Sequence, residues 1–590
     1  MARVAVDVPA LADQGRKFDY LVPVRHAGTV EVGTIVRVPL HGRRVGGWVV
    51  ALDVVPPAGV RLQHLTGVTG YGPSPEVVEL TEWAAWRWAG RQTAMLRAAS
   101  PPGAVRRLPA PPSEGPPDLG PGPLAPLALD ALSARNAVVR LAPAEDPAGL
   151  VGEIARLRPT LVIAPAVEQS RLIAAHLDRL RVPLAVLPDG WGRAAAGGRT
   201  VVGARGAAWG PAPGVGAIVV VDSHDDALVE GRAPSWNAWV VAAERARRLG
   251  VPCVLISPCP PLEQLQWGRL IVTDRALERH GWAVIEVIDR RADDPRAGLL
   301  GERLVPAVRA ATPSRRSVAV LNRKGRVRLL GCRSCGGLVL CEHCAASMEE
   351  DPDGELRCRR CHRARARICQ HCGSGALRAV RSGVTKVAAD LAALARLPVG
   401  EVTAEVVHLP DDPVLIGTEA VLRRLEFPAN GGPGAASVVF LDFDAELLAP
   451  RFRAAEEALA LLARAARVVG GRSGRGVVMV QTRLPDHPVI QAAVRADPGR
   501  LAVTELELRE ELRLPPASAL AELSGDAART AALASLLQEA PGVEVMGPTD
   551  GRWLVRAADH GILCDALSAA GRPSGAEGSR LRVDVDPLRS

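Results

Sequence analysis

The chain reads CRSCGGLVLCEHC at residues 332–344 and CRRCHRARARICQHC at residues 358–372. These two stretches contain four C-x-x-C pairs, and each pair can place two thiolates on one metal ion. Zinc takes four such ligands in a tetrahedron. Eight cysteines therefore predict two zinc ions per chain, in structural sites because no coordination position is left open for chemistry.

The spacing leaves the pairing of the cysteines open. In a nested arrangement, which is our working assignment, the outer and inner pairs each share one ion. The outer site is then Cys332, Cys335, Cys369 and Cys372, and the inner site is Cys341, Cys344, Cys358 and Cys361. A cross-braced arrangement is allowed by the spacing alone. Four disulfides would suit a short secreted chain, which a chain of 590 residues without a signal peptide is not.

Charged residues crowd the same segment. One interpretation is charge balance, because each Zn–Cys₄ centre carries a net double negative charge. The other is contact with DNA phosphates or a partner protein, for which we select Arg360. The arginines are Arg333, Arg357, Arg359, Arg360, Arg363, Arg365 and Arg367. Because the cysteines complete both tetrahedra, we interpret the candidate histidines as surface groups: His224, His343, His362 and His371.

Length and composition indicate a large multidomain protein. With 590 residues and 48% hydrophobic content, the chain can form several cores. The net charge of +8 is compatible with a polyanionic partner but is too small to require one. No signal peptide and no apolar run of membrane-spanning length is present. We therefore expect a cytoplasmic protein that has no membrane partner.

The pattern of the chain predicts six parts. Short β-rich runs predict a small β-barrel domain over 1–72. A helix at 76–98 and a Pro-rich linker fill 73–125. Alternating strand and helix patterns predict one α/β lobe over 126–300 and a second over 301–330 and 380–500, with the cysteine module at 331–379 inserted into it. A small α+β domain follows at 501–590.

Six short motifs, in this order around the eight cysteines, resemble those of the PriA family of primosomal, replication-restart helicases. They are Phe18-Asp19-Tyr20, Leu321-Asn322-Arg323-Lys324-Gly325, Ile416-Gly417-Thr418, Leu441-Asp442-Phe443-Asp444 with Phe452-Arg453-Ala454-Ala455-Glu456, Leu514-Pro515-Pro516, and Val585-Asp586-Pro587. The resemblance implies an α/β multidomain fold. It comprises a two-lobed superfamily 2 core, an inserted double zinc-ribbon module, an N-terminal β-barrel that binds DNA 3′ ends, a reduced winged-helix region and a C-terminal α+β domain.

The nucleotide site that the resemblance implies is degraded in three places. A phosphate-binding loop needs G-x-x-x-x-G-K-[ST] after the first strand, but AVVRLAPAEDPAGLVGE stands at 137–153, without a lysine. The family's DEEH box is replaced by Asp222-Ser223-His224-Asp225. The arginines of its GRAGR motif are replaced by Arg467-Val468-Val469-Gly470-Gly471-Arg472. We expect no catalytic residue, a doubtful ATP site, and Asp222 as a relic.

The resemblance implies a replication restart protein that is associated with the nucleoid and binds stalled or branched forks, D-loops and single-stranded DNA. Its implied protein partners are primosome proteins, proteins that load the replicative helicase, and single-stranded DNA-binding protein. Phe18, Asp19 and Tyr20 are the implied contacts with a DNA 3′ end, with aromatic stacking on a base and a hydrogen bond to Asp19. Two alternatives stay open: an active ATP-dependent 3′-5′ helicase with a divergent nucleotide site, and a zinc-ribbon scaffold in transcription.

Overall fold

The structure is a computed structural model. It describes residues 1–8, 16–56, 59, 61–113, 115–117, 120–293, 298–321, 330–351, 354–379, 384–403, 406, 408–427, 432–573 and 580–588. Most of the motif at 321–325 lies outside the described residues.

The first hundred residues form a six-stranded sheet followed by two helices. The elements are β1 (Ala2–Val6), β2 (Lys17–Leu21), β3 (Ile35–Leu40), β4 (Arg43–Leu52), β5 (Gln63–His64), β6 (Gly67–Gly70), α1 (Pro75–Arg87) and α2 (Gln92–Ala99). The strand order is β5-β2-β1-β4-β3-β6. Alternate residues of β1 and β4 fill one core because side chains alternate across a strand. The expected closure into a barrel stays a prediction.

The single helix expected over 76–98 is wrong, because the structure breaks it between α1 and α2. Ala89 adopts a left-handed backbone with φ of 42°. Gly90 follows, and a Cβ there would lie 2.5 Å from Cβ of Pro234. The chain therefore turns where it meets the neighbouring lobe, which a helical hydrophobic pattern does not reveal.

A seven-stranded parallel sheet with helices on both faces forms the first lobe. Its elements are α3 (Ala125–Ser133), β7 (Asn136–Arg140), α4 (Pro147–Leu157), β8 (Thr160–Ile163), α5 (Val167–Arg179), β9 (Leu184–Val186), α6 (Trp191–Ala195), β10 (Thr200–Gly203), β11 (Ala217–Val221), α7 (Ala238–Leu249), β12 (Cys253–Ser257), α8 (Leu262–Trp267), β13 (Arg269–Val272) and α9 (Arg275–Gly281). The order is β13-β7-β12-β11-β8-β10-β9. The central strand β11 reads AIVVV and is buried throughout, as expected for a strand covered on both faces.

The cysteine segment is inserted into the chain of the second lobe. The first elements of this lobe are β14 (Val284–Asp289), α10 (Val305–Arg309) and β15 (Ser317–Val320), and the cysteine segment contributes β16 (Leu330–Cys332), β17 (Met348–Glu350), β18 (Leu356–Cys358), β19 (Ala364–Arg365) and β20 (Leu377–Ala379). The lobe resumes with α11 (Val384–Ala395), β21 (Val399–Val402), β22 (Val414–Gly417), α12 (Ala420–Leu425), β23 (Ser437–Phe440), α13 (Asp444–Leu447), α14 (Ala454–Val468), β24 (Val477–Thr482), α15 (Pro488–Val494) and α16 (Gly499–Leu512).

The sheet of the second lobe has the order β14-β24-β23-β15-β22-β21 and is parallel. Strand β14 lies inside the span expected for the first lobe, yet it pairs with β24 in register from Val284 opposite Val477. The chain thus crosses between the lobes at α9, before the boundary that the sequence suggested.

The last part is a four-stranded antiparallel sheet with two helices. Its elements are β25 (Ala519–Gly525), α17 (Ala527–Gln538), β26 (Val543–Thr549), β27 (Arg552–Ala557), α18 (His560–Ala570) and β28 (Leu581–Val585), in the order β26-β27-β25-β28. The α/β character expected of the chain is confirmed. Within the described ranges, no helix is long and apolar enough to cross a membrane.

Candidate functional site

The eight cysteines come together as two groups of four. The outer group is Cys332, Cys335, Cys369 and Cys372, and the inner group is Cys341, Cys344, Cys358 and Cys361. Within each group the four Sγ atoms all lie within 4.8 Å of one another. The first C-x-x-C pair therefore meets the fourth and the second meets the third, which is the nested arrangement rather than the cross-braced one.

The sulfur geometry fits a tetrahedral thiolate site. The Sγ atoms of Cys332 and Cys372 are 3.5 Å apart, and those of Cys341 and Cys361 are 3.4 Å apart. Four thiolates held at about 2.3 Å from a zinc ion are about 3.8 Å from one another. All eight cysteines are free thiols. Each group can therefore hold one Zn²⁺ with a small adjustment, and four sulfur ligands would complete its coordination.

Short antiparallel strands bring the pairs together. In the outer group, β16 pairs with β20, so that Cys332 lies opposite Leu377 close to the fourth pair. In the inner group, β17 pairs with β18, with Met348 opposite Cys358. The backbone N–H of Ser334 donates to Sγ of Cys332 at 3.4 Å, a contact typical of a metal-binding knuckle. The hairpins, not the C-x-x-C spacing, decide which pairs meet.

The two cysteine groups differ in exposure. In the inner group, Cys341, Cys344 and Cys358 are buried. In the outer group, Cys335 and Cys372 are exposed. Thiol reagents therefore reach the outer group more directly than the inner group, in which only Cys361 is partly exposed.

The arginines of the cysteine segment mostly have partners within the protein. Arg357 pairs with Asp351 at 3.2 Å, and Arg359 pairs with Glu349 at 2.8 Å. These partners are carboxylates of the same segment, so the balance of zinc-site charge and the contact with DNA or a partner protein both stay predictions. Three of the candidate histidines of the segment, His343, His362 and His371, belong to neither cysteine group.

Arg360 is not placed to contact DNA as we expected. Its side chain is only 7% exposed and faces Glu505 of α16 at 3.5 Å. The arginine instead joins the cysteine segment to the helix before the C-terminal sheet. Two arginines of the segment that are exposed are Arg333 and Arg363.

The three candidate residues of β2 have different environments. Tyr20 is 4% exposed, and its hydroxyl donates to the carbonyl oxygen of Pro39 at 3.0 Å. The stacking role expected of Tyr20 is therefore wrong, because its ring lies in the core. Phe18 is only partly buried. Asp19 accepts two hydrogen bonds from Arg3, at 2.8 and 3.1 Å, and its side chain is 8% exposed.

The loop after β7 occupies the position of the missing phosphate-binding loop. Helix α4 begins at Pro147, and the side chain of its N-cap residue, Asp146, accepts the N–H of Ala148 at 2.9 Å. A phosphate at a helix N-terminus needs free N–H groups and no competing anion. Here a carboxylate already takes that position, so the start of α4 is unsuited to a phosphate.

Arg467 of α14 crosses the cleft between the lobes to Asp222. Its guanidinium donates to both carboxylate oxygens of Asp222, at 2.7 and 2.8 Å, and to the carbonyl oxygen of Pro143 at 2.8 Å. It also pairs with Glu426 at 2.7 Å. Burial opposes the charge of Asp222, but the Arg467 guanidinium holds the pKa of this carboxyl below its usual range. Asp222 is thus a structural ion-pair partner rather than an idle relic.

A second contact of the same kind joins Asp225 to the second lobe. Arg464 donates to Asp225 at 2.5 Å and Arg423 does so at 3.0 Å. Although burial works against its charge, these guanidinium groups hold the pKa of Asp225 well below the usual value. Two acidic residues of the segment Asp222–Asp225 therefore bind arginines of the second lobe.

His224 is only partly exposed and lines the cleft, whereas we expected a surface group. It lies between the two aspartates, with Nδ1 3.0 Å from Oγ of Ser257. Burial lowers the pKa of His224 to about 4 even though Asp222 and Asp225 favour its charged form. The imidazole is therefore neutral at physiological pH.

A further set of contacts between the lobes was not predicted from the sequence. Arg453 pairs with Glu263 of α8 at 2.8 Å, and Oε1 of Glu456 accepts the N–H of Leu262 at 2.8 Å. Arg509 of α16 is fully buried and pairs with Glu456 at 2.5 Å. The FRAAE motif thus joins both lobes to the helix that leads into the C-terminal sheet.

The ion pairs leave open space beside them. A cavity of about 580 Å³ adjoins Asp225 and Arg464, and Trp236, Trp239 and Trp267 form part of its wall. Two of these rings, Trp239 and Trp267, meet edge to face with centroids 5.9 Å apart.

Comparison with known proteins agrees with this architecture. A family model described as the PriA 3′ DNA-binding domain matches residues 3–101. The chain is 30% identical to the probable replication restart protein PriA of Mycobacterium leprae, over 97% of this chain and 93% of that protein. It is 30% identical to the Mycobacterium tuberculosis protein of the same name, over 88% and 86% of the two chains. It is 27% identical to replication restart protein PriA of Bacillus subtilis, over 54% and 42%.

The solved structure of Saccharomyces cerevisiae Dbp5 bound to RNA and ADP BeF3 matches with a TM-score of 0.37 at 12% identity. That match covers 66% of this chain and 94% of Dbp5. A likeness at this score does not bear on function.

The structure combines two parallel α/β sheets, an inserted segment with two groups of four cysteines, and an N-terminal segment that matches a DNA-binding family model. These features define a multidomain α/β protein of a DNA-binding class. The similarity to the Mycobacterium leprae protein extends over nearly the whole of both chains and identifies the family within this class. The chain belongs to the PriA family of replication restart proteins.

Proposed function

We propose that this protein recognises stalled or branched forks and D-loops, and recruits primosome proteins that reload the replicative helicase, without hydrolysing ATP. The proposed lack of ATP hydrolysis rests on one observation, the contact of Arg467 with Asp222 and Pro143. In a working motor, metal and phosphates would occupy that space.

Three requirements of phosphoryl transfer are unmet together. The loop after β7 has no lysine to meet the phosphates and no glycine run to cradle them. The start of α4 is capped by Asp146. Asp222, which would hold the metal ion, is bonded to Arg467 and also accepts a hydrogen bond from Gln169 at 2.6 Å. Competition from these partners disfavours metal binding at Asp222.

The N-terminal sheet supplies the structural selectivity in this proposal. Phe18, the partly exposed aromatic ring of β2, stacks on the terminal base of a DNA 3′ end. An ionised carboxylate has about four lone-pair sites, so Asp19 can accept a hydrogen bond from a free 3′ hydroxyl while Arg3 holds it in place. Arginines elsewhere on the surface supply the general attraction to phosphates.

The cysteine module supplies a rigid platform in the same proposal. Each group of four cysteines holds one structural zinc ion, and the Arg360–Glu505 pair fixes the module against α16. We assign the exposed surface of this module, which includes Arg333 and Arg363, to protein partners: primosome proteins, helicase-loading proteins and single-stranded DNA-binding protein.

The test is fluorescence anisotropy on forks that end in a 3′ hydroxyl or a 3′ phosphate, with and without Mg·ATP. The parent protein should prefer the hydroxyl end, and ATP should change neither affinity. Asp19→Ala should lower the preference by about 1–3 kcal/mol, the cost of losing one buried polar contact. Glu31→Ala changes an exposed carboxylate of the same part of the chain and serves as the matched control.

If the parent binds forks with a 3′ hydroxyl and forks with a 3′ phosphate equally tightly, the proposed recognition of a free DNA 3′ end is wrong. Strong modulation of fork affinity by ATP would favour the alternative of an active helicase with a divergent nucleotide site. Family membership leaves the transcription alternative without support.

A further inference from the structure

One face of helix α14 carries the charged residues that reach the first lobe. They are Arg453, Glu456, Arg464 and Arg467, and we call this face the interlobe clamp. With 3.6 residues per turn, their positions fall within roughly 80° of the helix circumference. The contacts thus lie on one face of the helix, in two groups separated by Ala460, which lines the cavity.

The opposite face of α14 anchors the helix in the second lobe. Ala455, Ala458, Leu459 and Leu462 are buried there and belong to the main hydrophobic core of that lobe. Since the helix cannot leave this core without exposing it, the clamp residues move only with the second lobe.

The charged face is buried, unlike the polar face of an ordinary amphipathic helix. The side chains of Arg464 and Arg467 are 8% and 12% exposed. Their partners Asp225 and Asp222 are similarly buried, so the pairs are shielded from solvent and salt. Separating the lobes would pull both pairs apart at once.

We propose that the interlobe clamp holds the two lobes permanently in one closed arrangement, in place of the nucleotide that closes a motor of this class. Arginine and carboxylate of the chain itself make the contacts across the cleft, so that the surface presented to DNA is preformed. The inference goes beyond the proposed function, because lack of ATP turnover by itself does not require fixed lobes.

The backbone N–H of Leu262 reports on the clamp directly. It donates to Oε1 of Glu456 across the lobes at 2.8 Å. Arg467 lies eleven residues further along α14, about 16 Å away at 1.5 Å per residue. Opening of the whole cleft would expose the Leu262 amide, whereas a local disturbance at Arg467 would not.

The experiment is hydrogen–deuterium exchange of the full chain, read at Leu262. In the parent, exchange at Leu262 should be slow and should stay within twofold when Mg·ATP, Mg·ADP or forked DNA is added. The double variant Arg464→Ala/Arg467→Ala should exchange at least tenfold faster there. The control Arg472→Ala changes an exposed arginine just beyond α14 and should match the parent.

An acceleration at Leu262 by Mg·ATP in the parent would overturn the inference without using any variant, so the test holds even if the double variant fails to fold. Unchanged exchange in a folded double variant would overturn it as well. If exchange at Leu262 is slow and insensitive to ATP but the protein hydrolyses ATP, the inference about the interlobe clamp holds and the proposed function without ATP hydrolysis is wrong. The two failures are therefore distinguishable.

Discussion

Arg467 of the second lobe donates hydrogen bonds to both carboxylate oxygens of Asp222 in the first lobe, at 2.7 and 2.8 Å. Both residues lie in segments that, by resemblance to the family, would face a nucleotide. Their direct contact gives both side chains a role in the structure. It contributes to the stability of the arrangement of the two lobes.

Arg467→Ala should destabilise the protein strongly. It leaves Asp222 buried without its guanidinium partner, while Glu426 keeps only Arg464 at 3.4 Å, and breaking a buried pair in this way costs about 3–5 kcal/mol. Urea denaturation measures the free energy of unfolding. Arg472→Ala, on the exposed side of the turn after α14, should change it by no more than about 0.5 kcal/mol. Equal, small effects of both changes would show that the pair contributes nothing.

The stability of the protein should fall as the pH drops from about 6.5 to about 4. Burial is the main reason why the pKa of His224 in the folded protein is lowered to about 4, so the unfolded chain binds a proton at this histidine at a higher pH than the folded chain does. Neutral His224 therefore costs no stability above the usual histidine pKa. As the pH falls from there to the pKa of His224 in the folded protein, the free energy of unfolding should decrease by about 3 kcal/mol. His224→Gln should flatten the pH dependence measured by urea denaturation.

The control for this effect is His487, whose pKa burial also lowers to about 4 and which lies outside the cleft contacts of His224. His487→Gln should remove a second, independent contribution to the pH dependence of the free energy of unfolding between pH 4 and pH 6.5. If the parent and His224→Gln show the same slope between pH 4 and pH 6.5, His224 is not held neutral.

Metal analysis should find about two zinc equivalents per chain after a mild chelator wash, because structural zinc is part of the fold. Cys335→Ser, at an exposed ligand of the outer group, should lose one equivalent and leave the inner ion in place. Cys341→Ser, at a buried ligand of the inner group, should lose one equivalent and also unfold the segment locally. One equivalent or none in the parent would contradict the two-site assignment.

Arg360→Ala should leave the salt dependence of fork binding unchanged. Its guanidinium faces Glu505 and is only 7% exposed, so no phosphate contact is lost. The measurement is the slope of log affinity against log salt concentration, which falls by about 0.9 for each phosphate contact removed from duplex DNA. A fall of that size for Arg360→Ala would place the residue on the DNA after all.

The sequence was informative where chemistry depends on residue type and silent where it depends on contacts between distant segments. Four C-x-x-C pairs predict two metal sites, but β16 and β20 decide which pairs meet. The missing lysine predicts the loss of the phosphate loop. It does not reveal that Arg467, 245 positions after Asp222, enters the same space.

Local rules contained some of the missing information. Side chains of neighbouring strand residues point to opposite faces, so Phe18 and Tyr20 share a face and Asp19 lies on the other. Burial then separates the two rings, because Tyr20 reaches the core and its hydroxyl finds Pro39 while Phe18 stays at the edge. Arg360 gave no such signal, since its partner Glu505 lies 145 positions away.

The most direct test of the central claim is steady-state ATP turnover by the purified chain of 590 residues, with saturating forked DNA and Mg²⁺. We predict that the parent shows no turnover above the background of an Asp222→Asn/Arg467→Ala double variant prepared in the same way, while the parent still binds the fork. DNA-stimulated turnover in the parent that this double variant abolishes would contradict the account.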